Sequence, residues 1–585
     1  MLCLALAAAP GRSLGALFDL VRGKRVRAWN LLCLLASRNP DHYARWIAVA
    51  EPVIAQTLLG EMPRETATAI PVMCVISGCG EDSEVSHRAS ARTAASARAA
   101  FGPGIRIAMI DAAHAGRAPS PGDELAALLD GLENDCWLVP LRAGDLLSSR
   151  CGQALAMAVN RQRGDTDCCI VYWDSDELAD TGSDTTSRSA PWIKGEWDPL
   201  LYLSRDSLTR SCALRADAAK RVLSQALPRR DAHLSGCELL AALIMVAVGV
   251  PGVSPPAHIP LILTHRGPSQ QRSVPFWTRL VARHWAEPVE LTQDDIVPSF
   301  HRVSPPQPLS WPSVSIIIPT RDKVELIAAC LGGLERLRYP GDVEILVVDN
   351  GTTQPEALRL LEARQRSGAI HVIRDDGCFN FARLNNRAAA LVRGEVLCLL
   401  NNDVEPLDGD WLAAMVRHAV RPDTGAVGAL LLYPDGSVQH AGVSIGTGGA
   451  AGHLARHAMP DDPVHFAWHG ITRSVSAVTA ACLVVRSDAY DDVAGLDEQA
   501  FAVAFNDVDF CLKLQQRGLR NVFVAQSRLV HHESVSRGKD HASANIARFS
   551  GELARFRQKW GSADCIDPHY SPLFSRSAES CILAF

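Results

Sequence analysis

Short apolar runs, each closed by a polar cluster, alternate with stretches of helical periodicity, and the alternation is most regular in the second half of the chain. Val314–Ile318 ends in Pro319-Thr320-Arg321-Asp322, Val343–Val348 in Asp349-Asn350-Gly351, and Val396–Leu400 in Asn401-Asn402-Asp403. Between them Lys323–Leu337, Pro355–Ser367 and Leu384–Val392 read as helices, and Ile370–Ile373 as a further strand. Strands alternating with helices predict an α/β domain with a mostly parallel sheet. Ligand crevices in such sheets open at the carboxyl ends of the strands. Asp322, Asp349 and Asp403 all fall on that edge. Carboxylates gathered there repel one another, so folding gains nothing from them, and a cation or a hydrogen-bonding ligand explains the arrangement. Oxygen ligands suit a hard cation such as Mg²⁺ or Mn²⁺, which in turn suits a diphosphate. Taken alone, Leu399–Pro406 reads better as a strand followed by an Asx turn, and the neighbouring strand ends reverse that preference.

The first half shows the same alternation more loosely. Ile70–Ile76, Ile105–Ile110, Trp137–Leu141 and Cys168–Trp173 read as strands, with helical stretches such as Ser86–Phe101 between them. Residues 1–65 read as helical, ending near Pro63, and Thr181–Ser189 as a loop. Four prolines in Val303–Pro312 mark a linker. The expected division is a helical segment over 1–65, an α/β domain over 66–300, a Pro-rich linker over 301–312, and a second α/β domain over 313–585.

Composition narrows the class. The 585 residues are 47% hydrophobic and 21% charged, enough apolar material for several real cores. A net charge of −6 argues against nucleic acid as partner. The 17 cysteines lack paired C-x-x-C spacing, and Met1–Pro10 lacks a basic leader, so reduced, mostly buried thiols in a cytoplasmic protein are expected. The longest apolar run, Leu239–Val253, is interrupted by Gly249 and Pro251 and falls short of the roughly 18 residues that a membrane span needs. Leu14, Leu17, Phe18 and Val21 lie at helical spacing before Arg22, Lys24, Arg25 and Arg27. Such a helix can lie on the inner face of an anionic membrane as a peripheral contact. The preferred reading is a helix packed on the first domain.

The motifs of residues 313–560 resemble the family 2 inverting glycosyltransferases, which have a GT-A fold, and most closely their bacterial O-antigen and surface-polysaccharide members. The matching segments are SIIIPTRD (Ser315–Asp322), EILVVDNGT (Glu344–Thr352), FNFARLNN (Phe379–Asn386), LLNNDVEP (Leu399–Pro406), LLYPDGSVQHAG (Leu431–Gly442), GLDEQAFAVAFNDVDFCLKL (Gly495–Leu514) and HHESVSRG (His531–Gly538). The resemblance implies a nucleotide-sugar donor held by Pro319, Thr320, Asp322 and Asp349 at its base and ribose. It places Asn385, Asn386 and Asn402 toward the sugar or phosphate, and Ser536 and Arg537 on the diphosphate. Asn401-Asn402-Asp403 stands where the family has D-x-D, so Asp403 is the implied ligand of a divalent cation (Mg²⁺ or Mn²⁺), with His531, or else His532, as a second. Asp507 is the implied catalytic base; Asp509, two residues on, points about 200° away on a helix and reads as a structural acid. Arg383 and His440 are lesser candidates.

Residues 66–268 echo the same family in VYWDSDE (Val171–Glu177), Pro191–Lys194, Trp197-Asp198-Pro199 and HIPLILTHR (His258–Arg266). The catalytic marks are absent there. Leu141-Arg142-Ala143-Gly144-Asp145 replaces the cation motif, with Arg142 where an acid is expected. Ile76-Ser77-Gly78-Cys79 lacks the Pro and Asp, and Gly236-Cys237-Glu238-Leu239 offers only Glu238. Asp174 and Asp176 read as a loop acid pair. The expectation is a degenerate transferase domain in tandem with a catalytic one.

The implied activity is transfer of a sugar, with inversion, from a nucleotide diphosphate to a hydroxyl of a growing, lipid-linked bacterial surface glycan. The alternative is an inactive scaffold that binds glycan or nucleotide sugar. A nucleotidyltransferase lacks support, since no Gly-rich phosphate loop follows the first strand.

Overall fold

In the computed structural model the chain forms two compact units. The structure describes every residue except 61–69, 79–83, 111–119, 163–167, 180–186, 226–233, 250–253, 268–273, 295–298, 461–467 and 533–542. The first unit comprises Pro40–Val289 with Ser571–Leu573 and Leu583–Phe585; the second comprises Met1–Asn39, Glu290–Tyr570 and Phe574–Ile582.

The first unit carries β1 (Val72–Ser77), β2 (Arg106–Ile110), β3 (Trp137–Arg142), β4 (Leu146–Leu147), β5 (Ile170–Ala179), β6 (Ser187–Trp192), β7 (Cys212–Arg215) and β8 (Ala257–Arg266). They form one sheet in the order β2-β1-β3-β7-β5-β8-β4, with β6 added to β5. In the second unit β9 (Glu290–Gln293) and β10 (His301–Ser304) form a hairpin. Then follow β11 (Val314–Thr320), β12 (Val343–Asp349), β13 (His371–Arg374), β14 (Val396–Leu400), β15 (Val404–Pro406), β16 (Thr424–Leu432), β17 (Val438–His440), β18 (Val443–Ile445), β19 (Ala451–His453), β20 (Arg473–Val475), β21 (Cys482–Arg486) and β22 (Arg520–His531). Their main sheet runs β13-β12-β11-β14-β21-β16-β22-β15.

The two orders are the same. Beyond the extra strand β13, the sequence β12-β11-β14-β21-β16-β22-β15 repeats β2-β1-β3-β7-β5-β8-β4 position for position. Pairing directions repeat as well. The pairs β1·β2, β1·β3 and β5·β8 are parallel, as are β11·β12, β11·β14 and β16·β22. The pairs β3·β7, β5·β7 and β4·β8 are antiparallel, as are β14·β21, β16·β21 and β15·β22. The tandem α/β architecture expected from the sequence is therefore present. Each sheet is parallel through its opening strands and becomes mixed where β7 or β21 is inserted.

The central strands explain why these segments fold as they do. β11, β14 and β16 are buried at every residue and read as continuous apolar runs, the pattern of strands covered on both faces. Ile317, Leu346, Val348, Leu399, Leu430, Val485, Phe510 and Phe523 share one core.

The compact units divide the chain differently from the expected boundaries, and the first also takes Ser571–Leu573 and Leu583–Phe585. Helices Leu2–Ala8, Pro10–Val21 and Arg25–Ser37 belong to the second unit, not the first. Leu32, Leu35 and Ala36 bury against Leu4, Ala5 and Ala16, Leu34 joins the main core, and Trp29 Nε1 donates to the carbonyl of Ser577 at 3.0 Å. The Pro-rich linker begins as β10, whose hairpin with β9 lies within the second unit. No described helix is long and apolar enough to cross a membrane. The described cysteines are all free and mostly buried.

Candidate active site

A cavity of about 470 Å³ opens at the carboxyl ends of β11 and β14. Of the residues predicted for the donor, Pro319, Thr320, Asp322 and Asn402 line it, together with Asp403. Asp322 and Lys323 leave β11 with φ of +53° and +54°, an uncommon backbone for non-glycine residues that clusters at ligand sites. The turn is held by Asp322, whose Oδ1 accepts the N–H groups of Thr353 (2.7 Å) and Gln354 (2.9 Å). Those two donors keep its carboxyl below the usual carboxylate range. Asn402 Nδ2 donates to Thr320 Oγ1 at 2.9 Å, which ties the ends of β14 and β11 together.

Register places the next pair. β15 begins directly after Asp403, and Val404 pairs with His531 at the end of β22. His531 Nε2 lies 3.1 Å from Asp403 Oδ1, while its Nδ1 lies 2.6 Å from Gln439 Oε1. An amide oxygen only accepts, so Nδ1 donates to Gln439, and in the neutral ring Nε2 then presents its lone pair on the side of the carboxylate. A carboxylate oxygen and an imidazole nitrogen at this spacing can serve as neighbouring ligands of one cation. Oxygen plus imidazole suits Mn²⁺ better than the harder Mg²⁺, and one or two protein ligands leave the rest of the shell to phosphate oxygens and water. The residues present fit that demand, although no group of three His, Cys, Asp or Glu gathers among the described residues. His532, the alternative, sits differently: its N–H donates to the Asp403 carbonyl (2.9 Å) and its ring faces Glu405 (3.7 Å).

Asp507 opens the helix Asn506–Gln516, preceded by Phe505 at φ +63°. That strained turn is fixed from the helix Ser543–Trp560. Glu552 accepts the N–H groups of Val503 (3.1 Å) and Ala504 (3.0 Å), and Phe556 stacks on Phe505 at 4.9 Å. Asp507 Oδ2 accepts from Ala480 N–H (3.1 Å), and the next carbonyl, Ala481, accepts from Asn401 N–H (2.9 Å). One dipeptide thus connects Asp507 to the cation edge, although Asp507 does not itself line the cavity. Asp509 is fully buried, with Lys559 Nζ at 2.7 Å and Trp560 Nε1 at 2.8 Å, so it is a structural acid.

Several predicted donor residues sit elsewhere. The Asp349 carboxylate is taken by Thr352 N–H (2.8 Å) and Arg374 (2.6 Å) and does not line the cavity. Asn385 is buried and donates to the Phe381 carbonyl four residues back. Asn386 ties its helix to the distant segment 490–496 through the Leu496 carbonyl and N–H and the Tyr490 hydroxyl. The helical period turns Asn386 away from the edge that Phe381 and Leu384 face, whereas Asn385, four residues after Phe381, spends its amide on that residue's carbonyl. Arg383 pairs with Asp375. His440 is buried with its Nδ1 2.8 Å from His453 Nδ1, and desolvation, then His453, lowers its pKa far below the ordinary range. Arg537 and Ser536 lie outside the described residues.

The sequence reading missed Lys323, Asn545 and Arg548, which also line the cavity, and Gln439, which orients His531. Arg548 and Glu552 are spaced i,i+4 on their helix, a signal easily read as a surface ion pair. In the first unit Asp174 and Asp176 are fully buried rather than in a loop. His258 (2.9 Å) and the Lys194 N–H (2.8 Å) hold the first, while Tyr43, Arg188 and His265 hold the second. Glu238 caps its own helix by accepting from Ser235 N–H and Oγ, each at 2.9 Å.

Comparisons with known proteins agree with the motif set. Residues 315–473 match the family model described as Glycosyl transferase family 2. The O-antigen biosynthesis protein RfbC of Myxococcus xanthus is 33% identical over 481 residues, covering 79% of this chain and 36% of that protein. An N-acetylglucosaminyl-diphospho-decaprenol L-rhamnosyltransferase of Mycobacterium tuberculosis is 29% identical over 226 residues, 34% of this chain and 70% of that protein. The chain spans about half or less of the curated relatives it matches over most of its length, 55% of one and 36% of RfbC. Among solved structures, the mannosyltransferase PcManGT from Pyrobaculum calidifontis in complex with GDP-Man and Mn²⁺ aligns over 49% of this chain and 71% of its own, at 18% identity and a TM-score of 0.34. The second unit is built around the matched segment, so this chain carries a glycosyl transferase family 2 domain over residues 315–473.

Proposed function

We propose that the second unit transfers a sugar from a nucleotide-diphosphate donor to a hydroxyl of a growing bacterial surface glycan, with inversion at the anomeric carbon. The observation that carries this reading is the convergence of Asp403 with the lone pair of His531 Nε2, 3.1 Å away, on a crevice lined by Lys323 and Arg548. The name of the RfbC relative supports the surface-glycan assignment. Lys323 and Arg548 supply positive charge for a diphosphate, and the exposed Phe379 offers a stacking face. A divalent cation held by Asp403 and His531 would offset charge on the leaving diphosphate. Asp507 takes the proton of the acceptor hydroxyl as that oxygen attacks. Its backbone donors, Ala480 N–H and Val508 N–H at 2.9 Å, hold the carboxylate in place for that task. In assays of sugar transfer and donor hydrolysis, Asp403→Ala loses on the order of 10²–10³-fold in rate, the scale of a lost electrostatic stabiliser. Equal activity in wild type and variant would sink the cation assignment.

Membrane contact belongs to the same reading. Leu14, Phe18 and Val21 are 61%, 55% and 85% exposed on one helix, and Val26 is 68% exposed on the next. Arg22, whose guanidinium lies 4.1 Å from the Phe18 ring centre, and Arg25 flank them. An apolar face ringed by cations suits an anionic bilayer. Cosedimentation with phosphatidylglycerol vesicles is expected to fall in Phe18→Glu/Val21→Glu, and binding unchanged by that pair would remove the face from the proposal.

A further inference from the structure

The topological repeat allows the cation edge of the second unit to be matched residue by residue in the first. Asp403 directly precedes β15, which pairs with β22 through Val404 and His531. Asp145 directly precedes β4, which pairs with β8 through Leu146 and His265. Asp145 and His265 therefore occupy the positions of Asp403 and His531, and Arg142 lies three residues earlier, inside the strand.

The chemistry at the matched position has changed. The Asp145 carboxylate is fully buried and accepts from Arg210 through Nε (3.0 Å) and Nη2. It also accepts the N–H groups of Arg142 (2.8 Å) and Gly267 (3.0 Å). His265 turns its Nδ1 to Asp176 at 2.7 Å. A guanidinium from the segment before β7 thus fills the place where the second unit presents a histidine lone pair to its carboxylate. The first unit carries its own positive charge at this edge and has no use for a metal there.

Arg210 has neighbours of the same sign. Arg266 ends β8 and is only 8% exposed. Among the described residues its one hydrogen bond is from Nη2 to Ser211 Oγ at a long 3.4 Å. Its Nε is buried without a partner, and no described carboxylate lies within ion-pair distance. Arg205 and Arg266 both lie over the Trp192 ring, at 4.7 and 4.9 Å. Lys194 Nζ donates to the same Ser211 Oγ at 2.8 Å. Burial, then Arg210 and Arg205, lower the Arg266 pKa to about 9. The carboxylates that act on it are committed elsewhere: Asp145 to Arg210, and Asp206 Oδ1 to the N–H groups of Leu208 (3.2 Å) and Thr209 (3.0 Å). Among the described residues the Arg142 Nε, at the same edge, is also buried without a partner.

A buried guanidinium without an anion is costly, and a protein keeps one where an anion arrives. Its planar fork matches phosphate oxygens two at a time. The place, beyond the carboxyl ends of β3 and β8, is where sheets of this kind bind ligands. We propose that this edge of the first unit is a metal-independent binding site for a diphosphate group, with Arg266 as its principal donor and Arg210 in the position that the second unit gives to a cation. The diphosphate belongs either to a nucleotide or to a prenyl carrier, and both present the same group to Arg266.

The test uses the full chain in EDTA, followed by thermal shift during titration with inorganic pyrophosphate, UDP and farnesyl diphosphate. The expected result is a rise in Tm that persists in Asp403→Ala and disappears in Arg266→Met. The unliganded Arg266→Met chain melts at or above the wild-type Tm, because it loses a buried like-charge neighbour. Arg266→Lys keeps the charge over Trp192 but not the fork, and is expected to bind about tenfold more weakly at an unchanged unliganded Tm. A response to UDP but not farnesyl diphosphate identifies the nucleotide as source, the reverse identifies the lipid, and a response to all three identifies the bare diphosphate. No rise with any of the three overturns the proposal. So does a rise of equal size in both Arg266 variants, or an unliganded Arg266→Lys chain that melts well below wild type.

Discussion

The carboxyl edges of the two sheets are built from corresponding strands in corresponding register, yet they place charge in opposite ways. In the second unit Asp403 faces the Nε2 of His531 across 3.1 Å, the pair to which the proposed function assigns a cation. In the first, Asp145 is closed by Arg210, whose two nitrogens and the N–H groups of Arg142 and Gly267 use its acceptor capacity. A topology fixes where a carboxylate stands. Its neighbours decide whether it is a ligand or a counter-ion. The second helix after β7 or β21, Gly236–Val248 or Asn506–Gln516, carries the same lesson: its second residue is Cys237 in the first unit and Asp507 in the second.

That last contrast gives the largest expected effect. Asp507→Asn keeps the shape but not the base and is expected to cost about 10²–10⁴-fold in sugar transfer, the usual scale for a general base. Cys237→Ser, at the matched position, leaves transfer unchanged. Comparable losses in both variants would break the comparison. Stability should diverge in the other direction. Arg210→Met strands the buried Asp145 carboxylate and is expected to destabilise the chain by about 3–5 kcal/mol in denaturant unfolding. His531→Ala, in a site made to exchange ligands, is expected to cost less than half of that in the same measurement. The smallest effect is at Gln439. Gln439→Leu frees the Nδ1 hydrogen of His531 and is expected to weaken Mn²⁺ binding roughly 10–100-fold in calorimetry, with the fold intact.

Much of this was legible in the chain. The buried runs Val314–Ile318 and Val396–Leu400 and their polar endings located the cavity, because a strand covered on both faces has to be apolar throughout and its ligands can appear only at its end. Asp403 and His531 could be paired through motif resemblance. That Asp349, Asn385 and Asn386 lie off this cavity was not legible, since a helix turn or an arginine from the next strand, Arg374, decides whether a polar group reaches a crevice. Arg548 and Gln439 were hidden because they arrive from a helix and a hairpin far along the sequence. At the matching edge of the first unit the sequence pointed to Arg142, three residues before Asp145, while the guanidinium that closes Asp145 comes from Arg210, across the sheet.

The central claim is that one edge takes a cation and the other supplies its own. Counting bound Mn²⁺ on the full chain at saturation tests it most directly. The account predicts one equivalent, lost in Asp403→Ala. Two equivalents, or one that survives Asp403→Ala, would contradict it.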